Sequence, residues 1–333
     1  LKQLIKQLVK AYGPAGDESE IRSLIKEKIK PAVDELKVDT MGNLIAFKKG
    51  TSSEQTVMLA AHMDEIGLIA THIDEDGFIR FSNVGGVSPY NLLGERVIFN
   101  GETIGVIDKE GQLDKISKLK HDKMYIDIGT SSQEETEKKV TIGDTAVYYR
   151  GFNDLGERIT AKSLDDRVGC AALIKTLQMI EKPAYDTYFV FTVQEEVGIR
   201  GAKVSAYGIE PDIGIAVDVT LTGDMPEAKR MAVSLGEGAA IKVKDSSVLV
   251  NKKLKDLMVA TAEDNQIPYQ LEVLTRGGTD AGSIQLTREG VIAGAISIPA
   301  RYVHSPSEMI DMNDLQYVRK LTSKLLTDQI KKL

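Results

Sequence analysis

Tryptophan is absent from this chain, and aromatic residues make up only 5% of it, a poor supply for stacking on sugars or bases. A single cysteine excludes an internal disulfide and fits a reducing compartment, so a cytoplasmic protein is expected. Cys170 lies in Val168-Gly169-Cys170-Ala171-Ala172-Leu173, where apolar neighbours and no nearby His favour a small buried residue over a nucleophile. No apolar run is long enough to cross a bilayer, so no membrane partner is expected. The opening stretch sets Lys2, Lys6 and Lys10 through its apolar pattern, which reads as an amphipathic helix and not as a secretory signal. The first residue is Leu and not Met, as expected of a trimmed terminus. The net charge of -7 is spread along the chain without a basic stripe, which argues against nucleic acid.

What is present is a change of style, made twice. With 333 residues the chain is long enough for about two domains. Residues 1–30 read as two helices broken by Gly13-Pro14-Ala15-Gly16, with acids from Asp17 to Glu20 in the second first turn. Strands follow near 35–39 and 43–48. The apolar run Val57-Met58-Leu59-Ala60-Ala61 is expected to be a strand covered on both faces. After about residue 67 come short alternating runs at 77–81, 96–99, 103–107, 124–128 and 146–149, the pattern of a small antiparallel barrel or sandwich. The charged segment 110–123 reads as a mobile loop. From about 162 helices and strands alternate again: a helix from Asp166 to Ile180, strands at 188–193, 213–217 and 291–298, helices at 201–207 and 253–265, and a closing helix from Asn313 to Lys331 capped by Asp311 or Asn313. The expected architecture is an α/β three-layer αβα sandwich with a mixed sheet, formed by residues 1–66 and 162–333. A β-barrel-like insert at 67–161 interrupts it.

The ends of the α/β strands carry the chemistry. The first apolar run ends at His62 and Asp64, the run at 188–193 at Glu195 and Glu196, and the run at 213–217 at Asp218. His304 follows the run at 291–298, and Asp165-Asp166 stands just before a helix. Open α/β sheets bind ligands outside the carboxyl ends of their strands. Any one of these residues is more often a cap or a solvated surface group. The chain has only four His, however, and two fall here. His72 and His121 fall in the insert and read as ordinary surface residues. Mixed His and carboxylate ligands suit zinc, cobalt or manganese. A bridging carboxylate, with one His and one acid on each side, holds two ions at the roughly 3.5–4 Å spacing of two-metal hydrolases.

The motifs Ala61-His62-Met63-Asp64-Glu65-Ile66-Gly67, Lys162-Ser163-Leu164-Asp165-Asp166-Arg167, Gln194-Glu195-Glu196-Val197-Gly198, Val217-Asp218-Val219-Thr220, Gly277-Gly278-Thr279-Asp280-Ala281 and Arg301-Tyr302-Val303-His304-Ser305-Pro306 occur in this order. Together they resemble the M42 family of metallo-aminopeptidases, the glutamyl, deblocking or tetrahedral aminopeptidases, over essentially the whole chain. The resemblance implies that His62 and Asp218 bind one divalent ion, that Glu196 and His304 bind the other, and that Asp165 bridges. Asp166 stays open as the alternative bridge. It makes Glu195 the general base and Asp64 the residue that orients His62. It further implies a cis peptide between Asp165 and Asp166, and an insert that builds dimers and tetrahedral dodecamers.

The expected function is release of amino-terminal residues from peptides, with two Zn2+ or Co2+ ions, or Mn2+, and with Gly277, Gly278, Thr279 and Asp280 lining the substrate site. Two glycines there allow a peptide backbone close approach. Arg276 and Arg301 flank the motifs, as acid-binding groups or as ion-pair partners. A glycoside hydrolase is the rival that paired carboxylates suggest, but the two His and the lack of Trp disfavour it. A non-catalytic metal-dependent module is the third reading, and peptide turnover separates it from the first.

Overall fold

The computed structural model describes residues 1–112, 115–327 and 329–333. Its centre is the strand Ser52–His62, exposed at its start and buried from Val57 onward. Parallel neighbours, Tyr185–Thr192 and Ile213–Leu221, cover both its edges, in register at Thr192 opposite His62 and Ala216 opposite Ala60. Ile292–Arg301 continues the parallel set, with Ser297 opposite Asp218. Among the described residues this sheet has 11 strands, with antiparallel strands on its flanks, so it is mixed as expected.

Helices cover both faces. Lys2–Leu8, Ser19–Ile29, Leu164–Met179, Lys252–Asp264 and Met312–Thr327 contribute to the main core. Arg200–Ile209 and Asp280–Gln285 close a smaller cluster with Ile45, Met58, Ala60 and Val190 on the other face. That second layer lies close: a Cβ at Gly214 would meet Ile284 at 2.3 Å. The continuous apolar runs at the centre follow from this two-sided cover.

The interruption is a closed barrel of Gly67–Ile73, Ile79–Val84, Arg96–Phe99, Thr103–Lys109, Met124–Asp127 and Thr145–Tyr148. Period-two alternation turns Leu68, Ala70, Ile79, Phe81, Val97, Phe99, Ile107 and Ile126 into its interior. Positive φ at Asn100 and Gly101 closes one of its hairpins. The barrel ends at Tyr148. The strands Asn153–Asp154 and Arg158–Ala161 lie within the expected 67–161 insert, yet pair in the large sheet through Glu308–Asp311.

Several expectations need correction. Segment 110–123 is not a plain loop: it carries 3-10 turns at Ile116–Lys118 and His121–Lys123 and buries Leu119, while residues 113 and 114 lie outside the described residues. His121 is half-buried and edge-on to Phe81 at 6.3 Å, so it is not an ordinary surface residue. Burial lowers its pKa. The closing helix ends at Thr327, and a 3-10 turn, Gln329–Lys332, follows. Asp311 accepts the Asn313 amide at 2.9 Å at the start of that helix. The strands Ala239–Lys244, Tyr269–Val273 and Glu308–Asp311 lay outside the sequence reading.

Candidate metal centre

Because the parallel strands are in register, the residues toward their carboxyl ends converge. His62 is the last residue of its strand, and Asp218 is near the end of its own. Glu195 and Glu196 occupy the turn after Thr192, where Gln194 takes a positive φ of 54°. Asp165 and Asp166 start the helix Leu164–Met179 in non-helical conformation, and the peptide between them is cis. His304 follows Ile292–Arg301 with φ 62°, a left-handed conformation that costs a non-glycine residue about 1–3 kcal/mol unless its surroundings impose it.

The side chains meet. His62 Nε2 lies 3.0 Å from Asp165 Oδ1 and 3.9 Å from Asp218. His304 Nε2 lies 3.3 Å from Asp165 Oδ2 and 3.1 Å from Glu196. Two groups of potential ligand atoms have every member within 4.8 Å of the others: His62, Asp166 and Asp218, and His62, Asp165 and Glu196. Asp166 turns Oδ1 to the Gly169 amide at 3.0 Å and keeps Oδ2 buried without a hydrogen-bond partner among the described residues. Asp64 accepts the amides of Glu195 and Glu196 at 3.0 and 3.1 Å, one on each oxygen. Its Oδ1 lies 3.5 Å from His62 Nδ1.

The electrostatics favour a cation. Burial pushes the Asp218 carboxyl up to about 8, against the pull of His62 and with the Asp165 charge adding to it. Burial likewise raises Glu195 well above the carboxylate range, and Asp218, Asp280 and Glu196 add to this. Burial alone would lower His304, but Asp165 and Glu196 raise it to about 12. So many carboxylates packed around two imidazoles are costly as bare anions, and divalent ions offset that cost. The residues present therefore fit a metal centre.

A cavity of about 420 Å³ opens over the cluster, lined by His62, Asp165, Glu195, Glu196, Asp218 and His304 on one side and by Ile199, Val219, Leu221, Leu274 and Val303 on the other. Gly277 and Gly278 also line it; Thr279 and Asp280 are buried, and Asp280 accepts the Thr192 hydroxyl at 2.6 Å. Arg276 lines the cavity, whereas Arg301 is paired to Asp224 at 2.5 Å and is a structural ion-pair partner. A larger cavity, about 580 Å³, is lined by Lys10, Tyr12, Arg96 and Tyr148 and contains none of the ligand cluster.

Sequence reasoning missed three supports. Glu308 accepts the amides of Asp165 at 2.9 Å and His304 at 2.8 Å, which holds His304 in its left-handed conformation. Glu65 bonds Lys162 at 2.6 Å and Arg167 at 3.2 Å, all three buried, and the two cations flank Asp165-Asp166 in sequence. The barrel reaches in through Gly85-Gly86: a Cβ at Gly86 would meet His304 Nδ1 at 2.5 Å, and Asn91 donates to the His304 carbonyl at 3.3 Å. The paired glycines were the legible signal for that contact.

Parallel strands that bring two His and several carboxylates to the wall of a cavity define a candidate metal-dependent enzyme on a mixed α/β sheet. The family model for M42 glutamyl aminopeptidase matches residues 42–321, and the chain belongs to that family. An Acetivibrio thermocellus protein assigned as an aminopeptidase is 51% identical, with 96% of each chain covered. Aminopeptidase APDkam598 from the archaeon Desulfurococcus kamchatkensis is 43% identical and superposes with a TM-score of 0.94, covering 98% of this chain and 94% of that one. The Pyrococcus horikoshii TET1 peptidase, which can assemble into a tetrahedron or a large octahedral shell, is 34% identical with a TM-score of 0.88 over 98% and 99%. This chain is a peptide hydrolase of the aminopeptidase type. Among the described residues, no helix is long and apolar enough to cross a membrane.

Proposed function

We propose a dinuclear mechanism in which His62 and Asp218 hold one divalent ion, His304 and Glu196 hold the other, and Asp165 bridges them. The observation that carries this reading is that the two oxygens of Asp165 face different imidazoles, 3.0 Å from His62 and 3.3 Å from His304. Asp166 is the weaker bridge, since one of its oxygens is spent on the Gly169 amide. The donor set suits Zn2+ or Co2+ and admits Mn2+. When bound, the ions supply Lewis acidity that polarises a scissile carbonyl and acidifies water.

Glu195 takes a proton from the attacking water and returns it to the leaving amine. Glu195 lines the cavity beside His62, Asp165 and Asp218, within reach of a water bound there. Asp64 fixes the backbone of Glu195 and Glu196 and orients His62 through Nδ1. The peptide runs past Gly277 and Gly278, with Thr279 and Asp280 supporting that wall, and its first side chain lies against the apolar side of the cavity with Arg276 at hand.

Residues 1–66 and 162–333 form the catalytic unit together with the strands Asn153–Asp154 and Arg158–Ala161, which pair into the same sheet. The barrel, Gly67 to Tyr148, carries assembly into dimers and a tetrahedral dodecamer, in the cytoplasm. The test is release of aniline from a panel of aminoacyl-anilides after chelation and re-addition of Zn2+, Co2+ or Mn2+. Activity is expected to vanish on chelation and to return with about two ions per subunit. Turnover that survives complete metal removal contradicts the proposal.

A further inference from the structure

Three consecutive backbone amides, those of Gln194, Glu195 and Glu196, donate to buried carboxylates. Asp64 takes the second and third. The first goes to Glu18, whose Oε1 accepts the Gln194 amide at 3.2 Å and the Gly16 amide at 2.7 Å. Glu18 is remote in sequence and sits just before the helix Ser19–Ile29, with 4% of its surface exposed. The loop that delivers it is tied to the metal centre. Pro14 bridges Glu65, the Glu65 amide donates to the Gly13 carbonyl at 3.0 Å, and the Ala15 amide donates to the Glu65 carbonyl at 3.2 Å. Gln194 needs such a hold, since its φ of 54° is a conformation non-glycine residues rarely adopt.

We propose that Glu18 is a positioning residue for Glu195: its carboxylate oxygen fixes the Gln194 amide, and thereby the direction in which the next side chain enters the site. This rests on Glu195 being the base. Without the acceptor at 18, the Gln194 peptide is free to turn and the Glu195 side chain swings about its Asp64-held amide by the fraction of an ångström over which proton transfer is lost, while Asp64 still fixes the Glu196 amide and Glu308 the His304 amide, so the ligand side chains stay in place.

The role depends on reach and not on charge, so two variants of the metal-loaded enzyme separate the possibilities. Glu18→Gln keeps an acceptor oxygen at the same distance and is expected to retain most of kcat. Glu18→Asp keeps the charge but withdraws the oxygen by one methylene, and is expected to lose kcat roughly 10- to 100-fold, with KM and both metals unchanged. Near-normal kcat in Glu18→Asp overturns the proposal. So does equal loss in both variants, loss of metal in Glu18→Asp, or failure of both to fold, which would make Glu18 a purely structural residue. Glu195→Gln measured alongside keeps the two readings apart. If it stays active, the assignment of the base has failed; if it is inactive while Glu18→Asp is normal, only the role of Glu18 has.

Discussion

His304 shows how much of a site is made by residues that touch no substrate. Its left-handed backbone is imposed by Glu308 and Asn91, and its ring rests on Gly86. A methyl at residue 86 would sit 2.5 Å from Nδ1 and 2.9 Å from Cε1 of the His304 ring, so the ring has to shift. Under the proposed dinuclear scheme, Gly86→Ala is therefore expected to weaken the ion held by His304 by about 10- to 100-fold, as loss of an outer support does, and to lower turnover in parallel. Metal titration followed by activity checks this; unchanged affinity would mean that the ring tolerates the shift. The clustering of the proposed ligand residues was legible because strand ends expose them in order. Glu308 was not, because an isolated acid after Ser305-Pro306-Ser307 gives no hint that it will collect two amides from segments 143 and 4 residues away.

Elements were legible where one physical signal dominated. The central strands were, since burial on both faces makes their sequence continuously apolar. Ala239–Lys244 was not: it carries Lys242, which is fully buried against Glu272 and Asp245, a polar cluster that breaks any apolar run. Tyr269–Val273 is an edge strand paired only to Ala239–Lys244, with Leu271 and Val273 exposed, so its alternation points the wrong way for a core. At the same scale, Arg167 joins the start of its helix to the amino-terminal segment, donating to the carbonyls of Leu8 at 2.6 Å, Ala11 at 3.2 Å and Gly13 at 3.3 Å. Glu65 is the anion that pairs Arg167 and Lys162. Glu65→Gln leaves two buried cations without it, and removal of one partner from a buried pair costs about 3–5 kcal/mol. Denaturant unfolding of the variant should show a loss of that size. A loss below about 1 kcal/mol, the worth of an exposed pair, would mean that water reaches the cluster.

For the whole molecule, the barrel is joined to the catalytic unit at the site itself, through Gly85, Gly86 and Asn91. If the barrel carries assembly as proposed, assembly and activity are coupled in space. The intact chain is expected to form the proposed large particle in light scattering, and replacing residues 68–147 with a short linker is expected to abolish it; a full-size particle from the shortened chain would remove the barrel from that role. The proposed chemistry rests on the dipeptide Glu195-Glu196. Glu195→Gln should keep both ions while turnover falls by about 10²–10⁴-fold, the range of general-base catalysis. Glu196→Gln should instead lose metal, because there a charged ligand is removed. Metal content and turnover number, measured on both purified variants, decide it. The account predicts full metal with little turnover for Glu195→Gln; near-normal turnover in that variant would contradict it.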